Sequence, residues 1–171
     1  MLVALRESYP AVISDCLDVP MPSVLFVCTA NICRSPMAMG LWQNKVGYDT
    51  DWQIESAGTW SIEGVPAAEN TLIVLAMRGV DLRGHRSQGI SHALLLRFNL
   101  ILVMESGHKE ALSVEFPDIA RRVFLLSEMV GEQYNIADPM GGPLEDFEET
   151  AKEFEQIFDE GFARIVQLAQ G

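Results

Sequence analysis

Positive charge is what this chain has least of. Its 12 lysine and arginine residues face 24 aspartates and glutamates, a net charge of −12. That balance argues against nucleic acid as a partner and repels anionic substrates at long range. A phosphate site here has to draw on local backbone dipoles and one or two arginines. Long apolar runs are also lacking. Nothing approaches the roughly 20 residues of a membrane helix, and Met1-Leu2-Val3-Ala4-Leu5 is cut short by Arg6-Glu7. No membrane association and no secretory signal are therefore expected. Cysteine is scarce: three residues, two of them in one short loop, form no disulfide framework and suit a reduced cytoplasm. The Walker Gly-x4-Gly-Lys pattern is absent, which leaves nucleotide hydrolysis unsupported. His85, His92 and His108 are scattered, without metal-ligand spacing, so neither metal nor cofactor is expected.

What is present is a single domain's worth of apolar residues, 49% of 171. Ser23–Cys28 is a continuous apolar run, the pattern of a parallel strand buried on both faces. Ser35–Val46 reads as a helix with Pro36 at its first positions, where a missing N–H costs nothing. Further strands are predicted at Gln53–Ala57, Asn99–Met104 and Arg122–Leu126. Helices are predicted over Ala67–Arg78, ending at Gly79, and over Gly107–Glu115, ended by Pro117. A last helix begins near Pro143, where Leu144, Phe147, Ala151, Phe154, Phe158, Phe162 and Ile165 share one face; Gly161 ends or bends it. The βαβα alternation predicts an α/β fold, a three-layer open parallel sheet with helices on both faces. Residues 1–22, broken by Pro10, Pro20 and Pro22, are set apart as an N-terminal extension, and residues 23–171 as one domain. Met21 as a native start and an arm packed on the domain are both open readings of that extension.

The chemistry concentrates in Cys28-Thr29-Ala30-Asn31-Ile32-Cys33-Arg34-Ser35, a loop between the first strand and the first helix. A thiol five residues before an arginine sits at the floor of a loop whose backbone N–H groups form a nest for a tetrahedral dianion. Helix N-terminus and guanidinium together lower a thiol from roughly 8.5 to about 3.5–7.5, making a nucleophile. Arg34 can grip two phosphoryl oxygens, and Ser35 can donate to the thiolate. A Cys-x5-Arg match alone arises by chance in about 15% of such chains; requiring Asn31 and Ser35 brings this below roughly 0.1%. The leaving group of a phosphate ester needs a proton donor. Asp138, stiffened by Pro139, is the choice and Asp118, after Pro117, the rival.

Val27–Pro36 resembles the signature of the low-molecular-weight protein tyrosine phosphatases, in a form similar to bacterial members. The resemblance continues through Glu55-Ser56-Ala57-Gly58-Thr59, Gly84-His85-Arg86-Ser87 and Leu100–Met104, and ends with Asp138-Pro139. It implies four parallel strands in flavodoxin-like order 2-1-3-4. It also implies metal-free hydrolysis of phosphotyrosine through a cysteinyl-phosphate: Cys28 the nucleophile, Arg34 the phosphate clamp, Asp138 the general acid and then base. Thr29, Ala30, Asn31, Ile32, Cys33 and Ser35 would line the phosphate, with Asn31, Ser56 and His85 hydrogen-bonded to Ser35 to hold the loop open. Ile32, Trp60 and Met140 would wall the substrate. Cys33 is open to two readings, a reversible disulfide partner for an oxidised Cys28 or a small buried thiol. The implied partner is a phosphotyrosine protein, such as a bacterial tyrosine kinase of polysaccharide export.

Ile32 favours phosphotyrosine, since related enzymes with threonine there take phosphoarginine. Met140-Gly141-Gly142 after Asp138-Pro139 lacks the usual aromatic and resembles the phosphoarginine branch, so arginine phosphatase is the alternative. Arsenate reduction needs relay cysteines beyond the loop, and none follows Cys33. A non-catalytic phosphoprotein binder would not need Cys28, Arg34 and Asp138 together.

Overall fold

The computed structural model describes residues 21–171. The extension set apart at the N-terminus therefore lies, but for Met21 and Pro22, outside the described residues. Strand β1 (Ser23–Cys28) is buried along its whole length. It pairs in parallel with β2 (Gln53–Gly58) on one side and β3 (Leu100–Val103) on the other; β4 (Val123–Leu125) adds beyond β3. The order is β2-β1-β3-β4, the doubly wound arrangement expected from the sequence.

Two-residue alternation along β1 divides the core. Val24, Phe26 and Cys28 belong to one hydrophobic cluster, Leu25 and Val27 to the other. The first face is covered by α1 (Arg34–Val46), α2 (Glu69–Ala76) and the C-terminal helices α5 (Leu144–Glu160) and α6 (Phe162–Ala169). Trp42 of α1 is its largest buried side chain, with ring centroids 5.1 Å from Phe158 and 5.3 Å from Trp52. The opposite face is covered by the short α3 (His92–Leu95) and by α4 (Ser106–Glu115). Among the described residues no helix is long and apolar enough to cross a membrane.

The differences from the sequence reading are local. The helix α3 and two 3-10 turns, Ala120–Arg122 and Leu126–Val130, were not legible, being too short to show a period. The apolar face predicted for the last helix buries Phe147, Ala151, Phe154 and Phe158, but Phe162 is 39% exposed. Gly161 (φ −89°, ψ 1°) interrupts the helix just before Phe162, so the face of α5 is not carried unbroken into α6. A Cβ on Gly161 would lie 3.0 Å from both the Cβ and the carbonyl oxygen of Met129.

Helix propensity alone favours alanine over glycine by about 1 kcal/mol. The contact with Met129 involves backbone and outweighs that gain. Gly161→Ala is therefore expected to destabilise the domain by about 1–3 kcal/mol, measured by urea unfolding.

Candidate active site

Cys28 ends β1 at the carboxyl edge of the sheet, where open α/β folds bind ligands, and is 3% exposed. The following loop is seated against β2. Gly58 is the register partner of Cys28, and a Cβ there would lie 2.5 Å from the Thr29 carbonyl oxygen. Only glycine permits that approach. The amides of Thr59 and Trp60 donate to the carbonyls of Cys28 and Thr29, each at 2.9 Å.

Asn31 turns the loop through the left-handed region (φ 56°), a conformation asparagine tolerates better than most side chains. Its buried side chain fixes the turn. Nδ2 donates to Ser35 Oγ and Ser56 Oγ, both at 2.9 Å, and Oδ1 accepts from the Gln88 amide at 3.0 Å. His85 Nε2 donates to the Asn31 carbonyl at 2.8 Å, so His85 reaches Ser35 only through Asn31. Burial lowers the His85 pKa below its ordinary value, which keeps the ring neutral. Among the described residues no hydrogen bond takes the amides of Ala30, Asn31, Ile32 or Cys33. Four successive unpaired donors at a helix start make an anion nest.

Ser35 Oγ lies 3.0 Å from Cys28 Sγ and 3.3 Å from the Ala57 carbonyl. Because Asn31 donates to it, its own proton goes to the Ala57 carbonyl or to Cys28, and of these an ionised sulfur would be the stronger acceptor. Cys33 is buried too, and burial pushes its thiol up to about 12, against a smaller opposing effect of the Thr71 hydroxyl. It sits in the loop as a neutral thiol. Both cysteines are unbridged.

Arg34 is 2% exposed and holds three groups. Nη1 donates to Glu105 Oε1 at 2.5 Å and to the Ile136 carbonyl at 3.0 Å; Nη2 donates to Asp138 Oδ2 at 2.7 Å. Its Nε–H is buried with no partner among the described residues. An unpaired buried donor costs about 1–3 kcal/mol, more on a charged group, and a phosphoryl oxygen would satisfy it. Asp138 arrives because the Ile136 amide bonds to the Met104 carbonyl at 2.9 Å, carrying its segment across the end of β3. The rival Asp118 is elsewhere, paired with His92 at 2.8 Å. Ile32 is half-buried, Trp60 is 86% exposed on the rim, and Met140 is partly exposed beside the acid.

Glu105, Gln88 and His108 were missed from sequence. Glu105 directly follows Met104 at the carboxyl end of a predicted strand, which was the signal that could have found it. His108 pairs with Thr29, Nε2 to Oγ1 at 2.9 Å. Among the described residues, no group of three or more His, Cys, Asp or Glu side chains is placed to hold a metal ion.

Residues 23–169 match the family model described as low molecular weight phosphotyrosine protein phosphatase. The chain belongs to that family. As a member it is a protein phosphatase, a hydrolase. A probable low molecular weight protein-tyrosine-phosphatase EpsP of Ralstonia nicotianae is 36% identical over 146 residues, 85% of this chain and 97% of that protein. The solved low molecular weight protein tyrosine phosphatase of T. tengcongensis superposes with a TM-score of 0.79 at 37% identity, covering 83% of this chain and 98% of its own. The YwlE arginine phosphatase of Geobacillus stearothermophilus superposes with a TM-score of 0.78 at 36% identity, covering 86% and 94%.

The seat of the phosphatase loop on β2 is open to test. Gly58→Ala is expected to displace Thr29 and to lower kcat/KM for p-nitrophenyl phosphate by about 10²-fold. The free energy of unfolding should fall by only about 1–3 kcal/mol.

Proposed function

We propose that the chain is a protein-tyrosine phosphatase working through a cysteinyl-phosphate at Cys28. The observation that carries this is the buried Arg34 Nε–H left unpaired beside the free loop amides. A dianionic phosphate satisfies both sets of donors at once, and a sulfur lies at the base of the same loop. Cys28 Sγ attacks phosphorus in line, a P–S bond forms and the P–O bond to the tyrosyl oxygen breaks. Asp138, held 2.7 Å from Arg34 Nη2 and more exposed than Glu105, gives that oxygen its proton. It later takes a proton from the water that cleaves the P–S bond. Arg34 holds two phosphoryl oxygens, a grip that an ammonium cannot reproduce.

The exposure of Glu105 and Asp138, 37% and 45%, matters here. Both carboxylates are reachable by water, so the phosphate can take over the fork from Asp138 without stranding a buried charge. Glu105 stays as the counter-charge that keeps the guanidinium aimed at the loop. Ile32 and Trp60 offer apolar walls to a phenyl ring, and Met140 a polarizable edge. The domain is proposed to span residues 23–171 and to act in the cytoplasm on a phosphotyrosine protein, a tyrosine kinase of polysaccharide export being the candidate.

Arginine phosphatase is the second reading. Favouring it are Met140-Gly141-Gly142 after Asp138-Pro139, with methionine in place of an aromatic at position 140, and the relatives so named, one 36% identical over 137 residues. A side-by-side turnover assay of phosphotyrosine and phosphoarginine peptides, with EDTA present, separates the two. Phosphotyrosine is expected to be preferred and EDTA to be without effect; preference for phosphoarginine reverses the assignment.

Two substitutions test the mechanism. Cys28→Ser should abolish turnover while keeping phosphate binding. Asp138→Ala should slow phenolic esters with poor leaving groups by about 10²–10⁴-fold and good ones far less. Equal loss across leaving groups would remove Asp138 from the acid role.

A further inference from the structure

One buried titratable side chain touches the loop without a part in the mechanism above. His108, in α4, is 8% exposed, and its Nε2 lies 2.9 Å from Oγ1 of Thr29, the residue after Cys28. Its Nδ1 is buried with no partner among the described residues. Burial, aided by Arg34, lowers its affinity for a second proton; Glu105 and Asp138 oppose this but do not prevail. The ring is neutral and carries one proton.

Where that proton sits follows from what the other nitrogen would be left with. On Nδ1 it would be a buried N–H with no acceptor, a rare arrangement in folded proteins. On Nε2 it leaves only a bare lone pair at Nδ1, and the N–H is paired. The ring therefore donates to Thr29 Oγ1. The Thr29 hydroxyl cannot hand its proton back to that ring, so it keeps it for another acceptor. Its backbone is pinned by the Trp60 amide on the Thr29 carbonyl and its hydroxyl oxygen by the ring, so the hydroxyl proton is directed away from His108. Asn31 does the same to Ser35 elsewhere in the loop: a buried N–H fills one site of the hydroxyl oxygen, so its proton points to the Ala57 carbonyl or to Cys28 Sγ and not back to Asn31.

We propose that His108 is a positioning residue that, by donating from Nε2 to Thr29, fixes the Thr29 hydroxyl as a hydrogen-bond donor to the phosphoryl group in the loop. This rests on the phosphatase reading of the site. It adds a neutral donor that reaches the phosphoryl oxygens in concert with the amides and Arg34, in a chain with few cations to spare.

The test combines Thr29→Val, Thr29→Ser, His108→Leu, His108→Gln and the double variant Thr29→Val/His108→Leu. Each is read by kcat and KM for p-nitrophenyl phosphate and by the inhibition constant of inorganic phosphate. Thr29→Val is expected to lower kcat/KM by about 10²-fold, and His108→Leu by about tenfold because the hydroxyl regains free rotation. Phosphate inhibition should weaken in both. Thr29→Ser and His108→Gln, which keep a hydroxyl and an amide donor, should each recover most of the loss. The double variant should be no worse than Thr29→Val alone, since the ring acts only through that hydroxyl. Nitrogen-15 NMR of the wild-type protein should show the Nε2–H tautomer at His108.

The proposal is overturned by an Nδ1–H tautomer, by unchanged kinetics in a folded Thr29→Val, or by losses that multiply in the double variant. If His108→Leu does not fold, the tautomer and the Thr29→Val and Thr29→Ser pair still decide it. A wild-type chain that turns over no phosphomonoester would defeat the underlying phosphatase reading instead, and the tautomer is measured independently of that.

Discussion

The guanidinium of Arg34 joins the three parts of the chain that make the site. It belongs to the loop after β1, its counter-charge Glu105 follows β3, and Ile136 and Asp138 come from a segment more than 100 residues downstream. A cation removed from water is tolerable only when paired and hydrogen-bonded, and removing one partner of such a pair costs about 3–5 kcal/mol. That cost makes the buried arginine a constraint on the fold around it. The end of β3 must supply an acid, and the 136–138 segment must cross over it. The site is thus assembled by the same contacts that solvate its charge.

The arrangement also resolves the mismatch between an acidic protein and an anionic ligand. At a Debye length of roughly 8 Å in physiological salt, most of the surface carboxylates are screened from the loop. What a phosphate meets at contact is local: unpaired amides, the spare Nε–H of Arg34 and the end of α1. Those donors are fixed before any ligand arrives, so none has to be reorganised as charge moves onto the phosphoryl group. The fixing is done by uncharged groups, Asn31 against Ser35, Ser56 and Gln88, and Gly58 against Thr29. The carboxylates that face the guanidinium, Glu105 and Asp138, are partly solvated.

Much of this was legible in the sequence, for a definite reason. The apolar run of β1, the Cys28–Ser35 spacing and the left-handed preference of Asn31 are local properties, written in consecutive residues. The helix α5 was legible because seventeen residues give its period time to show. The break at Gly161 was legible too, since glycine stands alone in that helical pattern. The pieces that escaped are short, such as α3 with four residues. Among site residues the same division holds. Glu105, Gln88 and His108 bear no motif of their own and acquire a role only from what lies across from them.

The sequence by itself determined that a thiol, a nest of amides and an arginine fall at the end of a buried strand, because a parallel strand, a tight loop and a helix start are specified over a dozen adjacent residues. It also determined that the sheet is open and doubly wound, since strand and helix periods alternate. Only the tertiary structure decided which aspartate faces the arginine, which carboxylate holds it in place and which histidine addresses Thr29. Those choices depend on where distant strand ends and helices converge, and no spacing along the chain encodes a distance across the sheet.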